Sequence, residues 1–247
     1  MRPTIIISTI LMCLFTGLSN GQIVHDPADK TVRITTTDQK LSLLINYSRG
    51  CRISTLEVNG VNTLSPSGIF TAVRAANGSW QSWGERQQLS VKERPGRIII
   101  DGIRYGKIGE SWSFTLDGNK IAWTISRRYD EDQLLEEMAL PVWHFADIST
   151  WKGGILDNGG VVWCKYLAAP NDTYGVHTGG VTFWNEESGD ALKISARADG
   201  SRSIATKYSQ DEQGCVYLHS PRHRQRSAST LPPEPVCFPK GGYICTF

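Results

Sequence analysis

The sequence predicts an all-β protein, a large antiparallel β-sandwich with little helix. Three observations carry this reading. Helical periodicity is nearly absent, short runs of alternating apolar and polar residues recur along the chain, and Gly, Asn, Asp and Pro bound those runs. So many short strands indicate two packed layers, because one open sheet of that size curls or splits.

In chain order, the first strand candidates are Thr31 to Thr36, Leu41 to Tyr47, Arg52 to Val58, Ile69 to Ala75, Gln88 to Lys92 and Arg97 to Asp101. The clearest unit comes next. Trp112, Phe114 and Leu116 alternate with hydroxyl residues, Ile121, Trp123 and Ile125 do the same on the return, and Asp117-Gly118-Asn119 supplies the positive-φ turn between them. Leu134 to Leu140 has helical propensity but reads as a strand, since Arg127-Arg128-Tyr129 leads into it and Pro141 closes it. Pro141 to Asp147 and Thr150 to Gly154 read as loop-like. Val161 to Leu167, Val181 to Asn185 and Ala191 to Ala198 complete the series, the last two flanking the turn-rich Glu186-Glu187-Ser188-Gly189-Asp190.

The first 21 residues have the form of a signal peptide. Met1-Arg2 precedes an apolar stretch from Ile5 to Leu18, and Ser19-Asn20-Gly21 places small residues where a signal peptidase cuts. Cleavage after Gly21 is expected, giving a secreted or periplasmic chain that begins at Gln22. No later apolar run approaches the roughly 18 residues that cross a bilayer, so no transmembrane segment is expected in the mature chain. Residues 22–218 form the expected sandwich domain. Residues 219–247 form a Pro- and Arg-rich tail without an alternating run, expected as a loose tail or as the truncated continuation of a larger protein.

The formal net charge of +2 belongs to the ends: the tail contributes +3 and Arg2 +1, which leaves −2 for residues 22–218. That weak field argues against nucleic acid as a partner. Apart from Cys13 there are Cys51, Cys164, Cys215, Cys237 and Cys245, with no C-x-x-C spacing, so no metal site is expected. These cysteines read first as buried thiols; in an oxidising compartment one or two disulfides can form, and Cys215, Cys237 and Cys245 are close enough in sequence for a pair whose partners the sequence does not specify. The sequons at Asn46, Asn77 and Asn171 matter only in a eukaryotic secretory pathway.

The sequence has no G-x-S-x-G, no H-E-x-x-H, no phosphate-binding glycine loop and no catalytic Cys-His context, and no cofactor is expected. Carboxylate chemistry leaves no spacing rule to read, because the fold alone brings two such groups together. Glu85, Glu110, Glu136, Glu137, Glu186 and Glu187 stand near aromatics. Trp80 and Trp83 lie in a segment too rich in Gly, Ser and Asn for a core strand, so their rings are expected at the surface. Trp143 and Trp151 form a second aromatic cluster on the loop-like stretch. Indole stacks on the apolar C–H faces of pyranose rings while neighbouring amides and carboxylates take the hydroxyls, so these four tryptophans are the candidate carbohydrate-binding residues. His144, between Trp143 and Phe145, and His177, in a glycine-rich connection, are candidate proton-transfer groups, with Glu186 as a candidate carboxylate.

The stretch Trp112-Ser113-Phe114 through Ile121-Ala122-Trp123-Thr124-Ile125-Ser126-Arg127-Arg128-Tyr129, with the continuation Leu134 to Pro141, resembles part of the galactose-mutarotase-like β-supersandwich. In particular it resembles the version at the N-terminus of bacterial (α/α)6-barrel glycoside hydrolases. The resemblance covers about 30 residues. It implies an exported carbohydrate-active protein whose partners are an oligosaccharide or polysaccharide and a helical-barrel catalytic domain. In those hydrolases the catalytic carboxylates lie mainly in the barrel, and no such barrel follows here. The expected function is therefore a carbohydrate-binding or substrate-framing domain. The alternatives are an aldose epimerase or glycosidase acting in its own right, or a non-catalytic envelope interaction module.

Overall fold

A computed structural model describes residues 21–76, 78–83, 87–147, 153–156, 161–163, 176–178, 180–184, 189–195, 197–198, 206–210, 215–219 and 236–246, and among these there is no helix. Residues 1–20 of the expected signal peptide lie outside them. The largest sheet runs, in spatial order, β1 (Gln22–Asp26), β2 (Thr31–Thr35), β3 (Leu41–Asn46), β4 (Arg52–Val58), β6 (Leu64–Ala75), β12 (Gln133–Asp147), β20 (Cys215–His219), β19 (Thr206–Gln210) and β15 (Val176–Thr178). Three short strands attach to it: β5 (Val61–Asn62) on β4, β7 (Trp80–Gln81) on β6 and β21 (Val236–Phe238) on β12. The second sheet is β18 (Arg197–Ala198), β22 (Gly241–Thr246), β11 (Lys120–Tyr129), β10 (Ile108–Asp117), β9 (Arg97–Tyr105) and β8 (Ser90–Arg94). A third has the order β14 (Val161–Trp163), β13 (Gly153–Leu156), β16 (Gly180–Trp184) and β17 (Ala191–Ser195).

The expected hairpin forms as β10 and β11. Asp117 pairs with Lys120 across a two-residue turn, and Gly118 takes φ 55° there. Its alternation fills the core: Trp112, Phe114, Trp123 and Ile125 are buried, while Thr115 and Ser126 are exposed. They meet Ile34, Ile45, Ile53 and Ile69 of the large sheet in one apolar cluster, so the two sheets pack face to face. Phe114 stacks on Trp123 at 5.7 Å with an interplanar angle of 9°, and Trp112 meets Trp123 edge-on at 4.7 Å.

Within this core sits a buried ion pair. Glu110 of β10 and Arg127 of β11 form a salt bridge with both side chains fully enclosed. Glu110 Oε2 also accepts the Thr71 hydroxyl of β6 at 2.6 Å and the Trp112 indole N–H at 3.1 Å. The Tyr105 hydroxyl lies 2.8 Å from Thr71 Oγ1 and 2.9 Å from its carbonyl. Burial alone lowers the Arg127 pKa, but attraction to Glu110 and the hydrogen bond between them outweigh it and push the value above the ordinary one. Burial, then the Glu110 charge, raises the Tyr105 phenol and the neighbouring Cys51 thiol well above their usual values, so both stay neutral.

The structure departs from expectation in two places. Pro141 to Asp147, expected as loop, continues β12, with a cis Leu140–Pro141 bond and irregular pairing to β6 on both sides of it. The region after His219, expected without strands, supplies β21 and β22; β22 pairs with β11 from Thr124 to Tyr129 and buries Cys245 in the core. Cys51, Cys237 and Cys245 are free thiols, the first and last buried and Cys237 exposed, in keeping with the buried-thiol reading for Cys51 and Cys245.

Candidate functional site

The outer face of the large sheet, turned away from the second sheet, carries the polar groups worth weighing as a site. Alternation fixes which residues reach it. Ile53, Ile69 and Val73 point into the core, so Arg52 on β4 and Phe70, Ala72 and Arg74 on β6 face outward. On β12, Leu135, Trp143 and Phe145 face the core, and Glu136, Val142 and His144 alternate to the other side. Ala72 and Val142 form a small apolar floor there with Phe70 packed against it.

Arg74 Nε and a Glu136 carboxylate oxygen are 3.2 Å apart, each side chain about a quarter to a third exposed. Trp80 stands opposite Arg74 in the β6–β7 ladder, and the guanidinium carbon lies 5.8 Å from the indole centre. The Trp80 ring is 47% exposed, the largest exposed aromatic among the described residues. Trp83 follows on the same connection, with the Arg52 guanidinium 4.1 Å above its ring. Partial burial lowers the Arg52 pKa from its usual value, and the group still carries its charge at neutral pH.

Beside Trp83 is a cavity of about 290 Å³ lined by Asn46, Ser48, Arg49, Gly50, Arg52 and Trp83. Its shape depends on Gly50, where a Cβ would come within 2.5 Å of the Trp83 carbonyl oxygen. Asn46 Oδ1 accepts the Ser48 N–H at 3.0 Å and the Ser48 hydroxyl at 2.7 Å, which fixes the turn. The Gln87 N–H donates to the Arg49 carbonyl at 2.7 Å and holds the returning chain against the same turn.

Of the expected site residues, Trp80 lies beside Arg74 and Trp83 beside Arg52, and His144 is half-buried on the same face of β12 but toward the other end of β6, where Trp143 pairs with Ile69 while Glu137 pairs with Arg74. The Trp143 ring does not reach this face: it is 8% exposed and packs on Trp123 at 6.1 Å and Phe145 at 6.4 Å. Its expected exposure is corrected, because the stretch read as a loop is a strand and alternation turns position 143 inward. Trp151 and Glu186 lie outside the described residues, as do Glu85 and Glu187. His177 lies on β15 of the large sheet, and its side chain is outside what is described. The ladders place Val142 opposite His219, His219 opposite Lys207 and Lys207 opposite His177, so the two histidine positions of interest belong to one sheet. Glu110 is removed from consideration by its burial against Arg127. The sequence reading missed Arg49, Arg52 and Arg74. For the last two a signal existed, each standing one place before or after an apolar residue of a strand candidate.

Compared with known proteins, the sequence matches no family model and no curated protein. Among solved structures, the chain is similar to a protein from Escherichia coli K12 described as a "Putative aldose 1-epimerase", at 10% identity and a TM-score of 0.48, with 84% of this chain and 94% of that chain covered.

Proposed function

We propose that this protein is an exported carbohydrate-binding domain that holds an oligosaccharide or polysaccharide on the outer face of its large sheet and frames the substrate of a glycoside hydrolase. The observation that carries this reading is the exposed Trp80 ring beside the Arg74–Glu136 pair. An indole offers an apolar platform to a sugar ring, and the guanidinium and carboxylate beside it offer donors and acceptors to the flanking hydroxyls. Trp83 stands further along the same connection, with the Arg52 guanidinium covering one face of its ring. The N-terminal apolar stretch supports export.

Titration calorimetry of the full chain, purified as the cell processes it, against a panel of plant and host oligosaccharides tests the reading, with tryptophan fluorescence in parallel. Saturable binding is expected, and Trp80→Ala is expected to weaken it about thirtyfold, the loss that follows from removing an aromatic anchor worth about 2 kcal/mol. Because the ring is exposed, the same variant should unfold within about 0.5 kcal/mol of the parent. A folded protein that takes no glycan, or a Trp80→Ala variant that binds as the parent does, overturns the proposal.

A second reading, acid–base chemistry on a sugar by an aldose epimerase or glycosidase, rests on His144, half-buried on the outer face of β12; Glu136 shares that face but stands about 25 Å along the strand at the roughly 3.3 Å rise per residue, too far to act on the same sugar ring. A positioned histidine contributes about a hundredfold or more to proton transfer, so His144→Ala should remove about that much turnover in an aldose conversion or glycosidase assay. A wild-type chain inert toward every sugar that it binds ends this reading and leaves the binding domain.

A further inference from the structure

At the far end of β4 from the Trp83 cavity lies a second and larger one, of about 880 Å³. The volume falls in the range of about 300–1,000 Å³ usual for small-molecule sites. It is walled by chain segments distant in sequence: the β2–β3 connection, the ends of β4 and β22, the β10–β11 turn and the start of β17. Three exposed lysines line it, Lys40, Lys120 and Lys193, each from a different segment. The Lys40 and Lys120 ammoniums make no hydrogen bond or close ion pair among the described residues, and the Lys40 charge helps, after hydrogen bonds from Thr36 and the Lys40 N–H, to hold the Asp38 carboxyl below its ordinary pKa.

Two carboxylates also line the cavity, Asp38 and Asp190. Asp38 is committed to its own turn: Oδ1 accepts the Thr36 hydroxyl at 2.7 Å and the Lys40 N–H at 3.1 Å. Asn119 is oriented by the same turn, its Oδ1 accepting the Thr37 hydroxyl at 2.6 Å and the Asp38 N–H at 3.3 Å. Its amide N–H groups are therefore donors without a partner among the described residues. Leu41, Val58 and Leu192 supply apolar wall between these polar groups.

Three lysines against Asp38 and Asp190 leave the wall one net positive charge (+3 − 2), and with a fixed amide donor and aliphatic surface it matches an anionic sugar: the acidic group meets the lysines and the C–H faces of the ring lie on the side chains. We propose that this cavity is a saccharide subsite selective for acidic sugars, those bearing a uronate carboxylate or a sulfate ester. The proposal rests on the carbohydrate reading above and names a second place and a charge preference for it.

The test titrates the full chain at low salt with an oligogalacturonate, a sulfated dextran oligosaccharide and neutral maltotetraose. One or both acidic ligands should bind more tightly than the neutral one, and the preference should fall as salt is raised. Which acidic ligand binds distinguishes carboxylate from sulfate. The double substitution Lys40→Gln and Lys120→Gln should weaken acidic binding by about tenfold for each lost contact. Lys40→Arg with Lys120→Arg should retain it, a rescue that separates charge from any damage to the fold. Acidic ligands bound no better than maltotetraose, or bound equally by the glutamine variant, overturn the subsite. If neutral glycans still bind in a Trp80-dependent way, only the subsite has failed; if no saccharide binds at all, the carbohydrate reading has failed with it.

Discussion

Replacing Arg127 by methionine is expected to lower the unfolding free energy by about 3–5 kcal/mol, because it leaves the Glu110 carboxylate buried without its counter-charge. Arg127 and Glu110 are both enclosed, and the Thr71 hydroxyl and Trp112 indole N–H that remain are neutral donors. Against a total stability of about 5–15 kcal/mol, that loss brings the protein to the edge of folding. Urea titration followed by tryptophan emission measures it as a lower midpoint at unchanged slope. The double substitution Arg127→Met with Glu110→Leu should recover most of the loss, since an apolar pair of similar volume carries no desolvation cost. An Arg127→Met protein within about 1 kcal/mol of the parent would show that Glu110 keeps its place in the core without the Arg127 counter-charge. The consequence reaches the site through Thr71: its hydroxyl ties the core face of β6 to Glu110, while Phe70, Ala72 and Arg74 project from the opposite face of the same strand.

How much of this was legible in the sequence depended on whether the determining contacts were local. The β10–β11 hairpin was legible because alternation and Asp117-Gly118-Asn119 specify it within one short stretch. The lengths of β6 and β12 were not. The strand candidate at Ile69 starts after Pro66 and Gly68, and Pro141 closes the candidate at Leu134, yet both strands continue through these residues because neighbouring strands supply the pairing. At Gly68 the backbone takes φ 72°, and a Cβ there would collide with the Ile53 carbonyl, so the glycine permits close approach of β4 and does not end the strand. β22 was hidden for a similar reason: Gly241-Gly242 gives no alternating pattern, and its place is set by the edge of β11 more than a hundred residues earlier. The site was legible only in part. Trp80 and Trp83 announced themselves by their polar surroundings, whereas Arg52, Arg74, Glu136 and His144 share a face only because β4, β6 and β12 are neighbours in the sheet, which no local pattern records.

Truncating Trp143 to alanine is the second large effect, and it is expected in stability, at about 3–5 kcal/mol, the cost of removing a core aromatic and leaving a cavity. The ring is wedged between Trp123 of the second sheet and Phe145 on its own strand, and Phe145 in turn meets Phe183 of the third sheet at 5.3 Å. The indole thus belongs to an aromatic chain that joins all three sheets, and relaxation of one member leaves its neighbours without packing partners. Trp143 and Trp80 are the same residue type and both were candidate sugar platforms, but one is 8% exposed and the other 47%. Their alanine variants should therefore separate: Trp143→Ala should unfold at markedly lower urea and bind glycan normally while folded, and Trp80→Ala should do the reverse. A Trp143→Ala protein that keeps its urea midpoint and loses glycan binding would put that ring at the sugar. The binding face would then have to include the interior side of β12, and the division between core face and outer face on which the site rests would fail.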